Sequence, residues 1–171
     1  MNWKRPTPEE YHPFYKNYVQ KVPEGDFLRV FEAESKDTEA LLASLSGAQW
    51  NYSYAPGKWT LKELIVHMLD SERVFCYRAL RIARGDTTRL PGFEQDDYIP
   101  TSEANDRSGD RILEEWKALR ASTLVFLSNL TPAMIERQGT ASGATVSVRA
   151  LGYMTLGHEL HHRAIIKDRY L

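Results

Sequence analysis

The sequence predicts an all-α protein built as a four-helix bundle, and three observations carry that expectation. Four long segments repeat apolar residues at the 3.6-residue spacing of a helix that buries one face. Helix start and stop signals bound those segments, the clearest being the capping box Thr60-Leu61-Lys62-Glu63. Between the second and third lies a connection over residues 85–107, too long for a bundle hairpin. It lets the third helix start back where the second began, so that those two run parallel. A chain of 171 residues suffices for one domain, burying roughly 70% of its unfolded surface.

Taken in order, residues 1–23 form an arm rich in proline and aromatics, among them Pro6, Pro8, Tyr11, Pro13, Phe14, Tyr15, Tyr18 and Pro23. Its prolines preclude a helix across it, and its aromatics seek cover on the bundle or on a second subunit. The rest of the chain, 24–171, is the bundle domain. Asp26 caps a first helix with Phe27, Phe31, Leu41, Leu42 and Leu45 on its apolar face and Gly47 near its end. Ser35 and Thr38 interrupt that stripe; they face either a cavity or a bulky neighbour. Residues 48–59 read as an aromatic loop ending at Trp59.

Thr60 starts the second helix, whose inward face carries Leu61, Leu64, Ile65, Met68, Phe75, Leu80 and Ile82 before Gly85 stops it. Arg78, Arg81 and Arg84 read as a solvated face, flanked as they are by Glu72 and Asp86. A third helix follows with Ile112, Trp116, Leu119, Thr123, Phe126 and Leu130 in register. Thr131-Pro132 opens a short helical turn. Residues 139–147 read as a hairpin around Ser142-Gly143 or as an irregular loop. Ser147 caps the last helix, with Val148, Leu151, Thr155, His158, His162, Ile165 and Arg169 along one stripe.

Composition excludes several function classes. Lys and Arg number 22 against 23 Asp and Glu, a net charge of −1 with no basic face for nucleic acid. The single cysteine, Cys76, excludes an intrachain disulfide and reads as a small apolar helix residue. No apolar run approaches the roughly 18 residues of a membrane span, and no signal-peptide core follows Met1–Pro6. The expectation is a soluble, cytoplasmic protein.

Three of the five histidines lie in Gly157-His158-Glu159-Leu160-His161-His162. Residues three or four apart on a helix share a face, so both His158/His161 and His158/His162 have metal-ligand spacing; the stripe favours His162 and puts His161 at the flank. A firm site needs a third ligand from upstream. His67 lies on the inward face of the second helix, three residues after Leu64. With about 1.5 Å of rise per residue, antiparallel packing of the second and fourth helices brings His67 within one turn of the pair. His12, on the irregular arm, is the weakest candidate. Satisfied core histidines are the plain alternative.

The set Lys58-Trp59-Thr60, Glu63, His67, Asp70-Ser71-Glu72, Leu90-Pro91-Gly92-Phe93, Gly157-His158 and His161-His162 resembles the DinB-like superfamily of metal-binding bacterial four-helix bundles, over about residues 25–171. The resemblance implies an up-down-down-up bundle and a divalent ion, zinc or nickel, held by one histidine of the second helix and an H-x-x-x-H pair of the fourth. His67, His158 and His162 match those places; His161 does not. It also implies a homodimer, and activities that include thiol-dependent transfer and isomerisation, with hydrolysis assigned elsewhere from the metal site alone.

Three neutral imidazoles leave an ion's charge uncompensated and one position open, which suits activation of a thiol or of water. The leading expectation is a transferase that joins a low-molecular-weight thiol to a small electrophile. Hydrolysis is the second, with Glu63, Asp70 and Glu159 as candidate acids or bases by proximity, against the plainer reading of each as a cap partner, a group orienting a ligand or a solvated residue. A non-catalytic bundle that binds a metal or ligand is the third. Trp59, Phe93 and Tyr98 are the aromatics expected to roof a pocket over the ion. The residues themselves fix no catalytic group.

Overall fold

The Thr60 hydroxyl accepts the Glu63 amide and the Glu63 carboxylate accepts the Thr60 amide, so α4 (Leu61–Ala83) starts where its capping box dictates. The computed structural model describes residues 3–171. The other long helices are α2 (Phe27–Ala43), capped by Asp26, α6 (Gly109–Ser128), capped by Ser108, and α8 (Val148–Ile165), capped by Ser147. Each cap side chain accepts an amide that the first helical turn would otherwise leave orphaned. A four-helix bundle results.

Contacts along the helices give their relative directions. Tyr170 donates to the Trp59 carbonyl at 2.9 Å while Arg137 donates to the Ala83 carbonyl, so the start of α4 meets the end of α8 and the two are antiparallel. Arg120 on α6 meets Ser35 on α2, and Lys117 meets Glu39, which makes that pair antiparallel as well. On α4 and α6 the order is shared: Arg73 pairs with Glu115 and Cys76 with Thr123. Residues 85–108 supply the long return, with a short helix α5 (Gln95–Tyr98) in it.

Shorter elements fill the ends. Ser46 caps α3 (Gly47–Trp50) by a second capping box with Gln49, so a helical turn stands where the sequence reads as loop. Thr131-Pro132 opens α7 (Pro132–Ile135) as expected. Strands β1 (Gln138–Ala141) and β2 (Ala144–Ser147) form a hairpin, settling that alternative. Ser142 and Gly143 turn it with φ of 50° and 77°, the left-handed pair that a two-residue turn requires.

The arm departs from expectation in one respect. It holds a helix, α1 (Lys16–Lys21), because Pro13 sits in the helical turn before it and Pro23 follows its end, so neither proline interrupts a helical hydrogen bond. The arm lies on this chain's own α8 and α2: Arg149 of α8 binds Glu10 through both carboxylate oxygens at 2.6 Å, and Trp3 stacks on Phe27 of α2 at 4.8 Å. The backbone of α1 crosses α8 at Gly157, where a Cβ would stand 2.0 Å from the Tyr18 carbonyl oxygen. Only glycine admits that approach, and it sets Tyr18 over His158, with ring centroids 5.5 Å apart.

Covered by α1, α2 and α4, α8 is buried almost all round from Ala150 to Glu159. Leu80, expected inward on α4, is 41% exposed: the stripe has rotated past it, while Ala79 and Ile82 take the inward places. Among the described residues, no helix is long and apolar enough to cross a membrane.

Candidate metal centre

His67 lies two turns into α4, and His158 and His162 lie on the facing side of α8. Antiparallel packing brings their rings together: Nε2 of His158 is 3.0 Å from Nε2 of His67 and 3.0 Å from Nε2 of His162. Ring centroids are 4.4–5.1 Å apart, and the three residues are 3%, 6% and 9% exposed. His161 stays at the flank, its ring against Tyr18 at 5.1 Å. His12 is elsewhere, its Nδ1 accepting the Phe14 amide.

Hydrogen bonding alone leaves this arrangement incomplete. An imidazole nitrogen carries either one hydrogen or one lone pair, so Nε2 of His158 can satisfy only one of its two neighbours well. Protonation offers no relief. Burial lowers the pKa of His67 to about 4 and that of His162 to about 3. Burial, reinforced by the other imidazoles, pushes His158 well below its ordinary value. At neutral pH all three are therefore neutral, the form in which histidine ligates metal.

The spacing fits an ion. Bonds of roughly 2.0–2.1 Å in a tetrahedral shell separate ligand nitrogens by about 3.3 Å. Among the described residues the three histidines are the group of donors close enough together to hold one, all within 4.8 Å, and no carboxylate or thiol joins them as a fourth. Nδ1 of His162 is buried without a partner, a burden of about 1–3 kcal/mol that ion binding would have to offset.

Two cavities flank the cluster. On the His162 side lies a space of about 460 Å³ bounded by Tyr54, Lys58, Trp59 and Asp96. On the His158 side lies one of about 220 Å³ bounded by Tyr15, Tyr18, Phe75, Phe93 and Glu94. Trp59 also packs on His67 at 5.1 Å between centroids. Trp59 and Phe93 thus line the site as expected from sequence. Tyr98 does not: it is 44% exposed and packs on Phe93, with ring centroids 5.6 Å apart, outside both cavities.

None of the three acids singled out by proximity is free for the cluster. Glu63 completes the α4 cap and accepts from Asn105. Asp70 faces Arg73. Glu159 turns inward to Arg120, which also binds Glu72. The acids that do face the cavities, Asp96 and Glu94, belong to the long crossover; α5 carries Asp96 close enough to His67 to oppose the lowering of its pKa. Their sequence signal is weak: acidic residues in a connection long enough to reach the site.

Cys76 is not a second reactive centre. Its thiol lies 3.5 Å from the Thr123 hydroxyl, and burial pushes its pKa up to about 11, so it stays protonated.

Fold and cluster together define a helical bundle with a buried three-histidine centre between two antiparallel helices. Residues 31–166 match the DinB superfamily, and the chain belongs to that superfamily. Three solved structures share its fold. YfiT from Bacillus subtilis, described as a probable metal-dependent hydrolase with an unusual four-helix bundle topology, aligns with a TM-score of 0.71 at 16% identity, over 93% of this chain and 91% of that one. A mycothiol-dependent maleylpyruvate isomerase aligns at 0.68 and 17% identity over 85% of this chain, which spans 61% of the isomerase. A DinB-like protein of Bacillus subtilis aligns at 0.61 and 21% identity, over 85% of this chain and 90% of that one. No curated protein matches in sequence.

Proposed function

We propose that His67, His158 and His162 hold a divalent metal ion, zinc or nickel, through their Nε2 atoms, and that the protein joins a low-molecular-weight thiol to a small electrophile. The observation that carries the transferase reading is the pair of separate cavities, one against His162 and one against His158. A reaction between two small molecules needs a berth for each beside the reactive centre, and holding both there supplies much of the rate. A bound ion acts as a Lewis acid that lowers the pKa of a thiol or water at its open position.

The chain's own residues do the rest. Trp59, Tyr18 and Phe75 exclude water around the imidazoles and so strengthen electrostatic interactions there. Asp96, which borders the cavity beside His162, is our candidate to take the thiol proton as sulfur attacks the electrophile. The mycothiol dependence of one fold relative agrees with thiol handling.

Hydrolysis is the second reading, favoured by the same carboxylate: Asp96 would take its proton from water instead. One experiment separates the two. Metal-loaded protein is given 1-chloro-2,4-dinitrobenzene with cysteine, glutathione or coenzyme A, and separately 4-nitrophenyl acetate. Thiol consumption that falls at least tenfold in Asp96→Asn supports transfer; ester cleavage with no thiol consumption replaces it with hydrolysis. Inactivity toward every pair would sink both.

A further inference from the structure

Arg78 reads from sequence as part of a solvated face, yet the structure buries it to 3% exposure. Its Nη2 donates to the Pro91 carbonyl at 2.8 Å and to the Ser142 hydroxyl at 3.0 Å, both neutral acceptors. The Phe93 ring lies 5.7 Å from the guanidinium carbon, and the Tyr15 phenol is beside it. Among the described residues no carboxylate pairs with Arg78. That isolates it from the chain's other buried arginine, Arg120, which has two carboxylates.

The unpaired guanidinium lines a cavity of about 300 Å³ whose other walls include Leu151, Met154, Val146 and Ala141. A buried cation without a counter-charge is costly, and the neutral partners of this guanidinium, Pro91, Ser142 and the Tyr15 hydroxyl, supply no negative charge at neutral pH and leave part of its five donors free. Its planar fork fits the two oxygens of a carboxylate. Phe14 and Tyr15 form a wall common to this cavity and to the one touching His158, so the space at Arg78 neighbours the one at the histidines.

We propose that this cavity binds an apolar small molecule by its carboxylate, with Arg78 as the anchor, and so selects carboxylate-bearing substrates for the neighbouring centre. The second half rests on the reading of the histidine cluster as the reactive site; the binding itself does not. Arg78 is then a binding residue, held in place by Pro91 and Ser142.

The test uses the metal-free full-length chain with hexanoate and its neutral counterpart hexanamide, read by isothermal titration calorimetry. Hexanoate is expected to bind at one site, at least tenfold tighter than hexanamide. Arg78→Gln should weaken hexanoate at least tenfold and leave hexanamide within about twofold. Ala144→Leu, which narrows the cavity without touching the arginine, should weaken both, and it serves if Arg78→Gln fails to fold.

Equal binding of acid and amide, no binding of either at millimolar concentration, or full hexanoate affinity in Arg78→Gln overturns the proposal. His158→Ala separates it from the functional reading: that variant should still bind hexanoate while losing thiol consumption. A wild-type protein that binds hexanoate but processes no electrophile would refute the reaction and leave the anchor standing.

Discussion

Two polar clusters lie buried on α4 and α8, and on α8 they are adjacent in sequence: His158 turns to one, Glu159 to the other. The inner cluster sits among all four long helices. Arg120 of α6 binds Glu72 of α4 at 2.7 Å, Glu159 of α8, and the Ser35 hydroxyl of α2 at 2.7 Å, with the rings of Phe31 and Trp116 against its guanidinium. Here the chain supplies both signs of charge. The outer cluster has donors of one kind, three neutral imidazoles, and open space on two sides. A polar cluster that answers itself holds helices together; one that its own chain leaves incomplete is where we propose the ion.

Removing Arg120 tests the inner half of that contrast and should have the largest effect. Arg120→Ala leaves two buried carboxylates facing each other with no counter-charge, which typically costs about 3–5 kcal/mol. Urea denaturation measures it. A loss below about 1 kcal/mol would mean that the inner cluster does not hold the bundle, and the contrast would fail.

The outer half breaks differently. His158→Ala removes the imidazole whose Nε2 lies 3.0 Å from both of the others, a neutral contact that serves only one of the two well, so metal-free stability should change by about 1 kcal/mol. Metal affinity should fall more than about 100-fold, beyond the range seen when only a residue supporting a ligand is lost. Elemental analysis of protein purified without an affinity tag or added metal reads the outcome. Retention of a full equivalent of metal in His158→Ala would remove the three-histidine assignment.

The two clusters were unequally legible in the sequence, for a physical reason. The histidines announce themselves, since four-residue spacing and a third histidine on an amphipathic stripe are local patterns. Capping boxes and the Ser142-Gly143 turn are local too, and the helices they bound stand where their residues place them. Arg120 was invisible: periodicity registers apolar residues, and a buried arginine between Trp116 and Thr123 looks like any charge on a helix surface. Its partners are 39 to 85 residues away in the chain. Arg78 misled for the same reason, because the Pro91 and Ser142 atoms that receive it come from other elements. Of the two readings of Ser35 and Thr38, a cavity or a bulky neighbour, the second holds, and the neighbours are Arg120 and Arg163, which the stripe could not name.

The smallest expected effect is a dependence of metal-free stability on pH, and its sign follows from the outer cluster. Folding lowers the pKa of His67 to about 4 and of His162 to about 3, by burial foremost, and burial lowers that of His158 in the same direction. In the unfolded chain these groups titrate near 6.5. Below that value the unfolded state binds protons that the folded state refuses, so stability is fully present above about pH 6.5 and declines as pH falls toward the folded values. Between pH 7.5 and 6 the loss should be about 0.8 kcal/mol per histidine, hence about 2.4 kcal/mol for the three together. Denaturation of chelator-treated protein across that interval measures it. His161, also lowered by burial, is removed first as His161→Gln so that the slope belongs to the trio. In that background His158→Ala should cut the slope by about a third. A flat profile would show that the imidazoles are partnered in some other way, and the distinction between the self-answering cluster and the incomplete one would no longer hold.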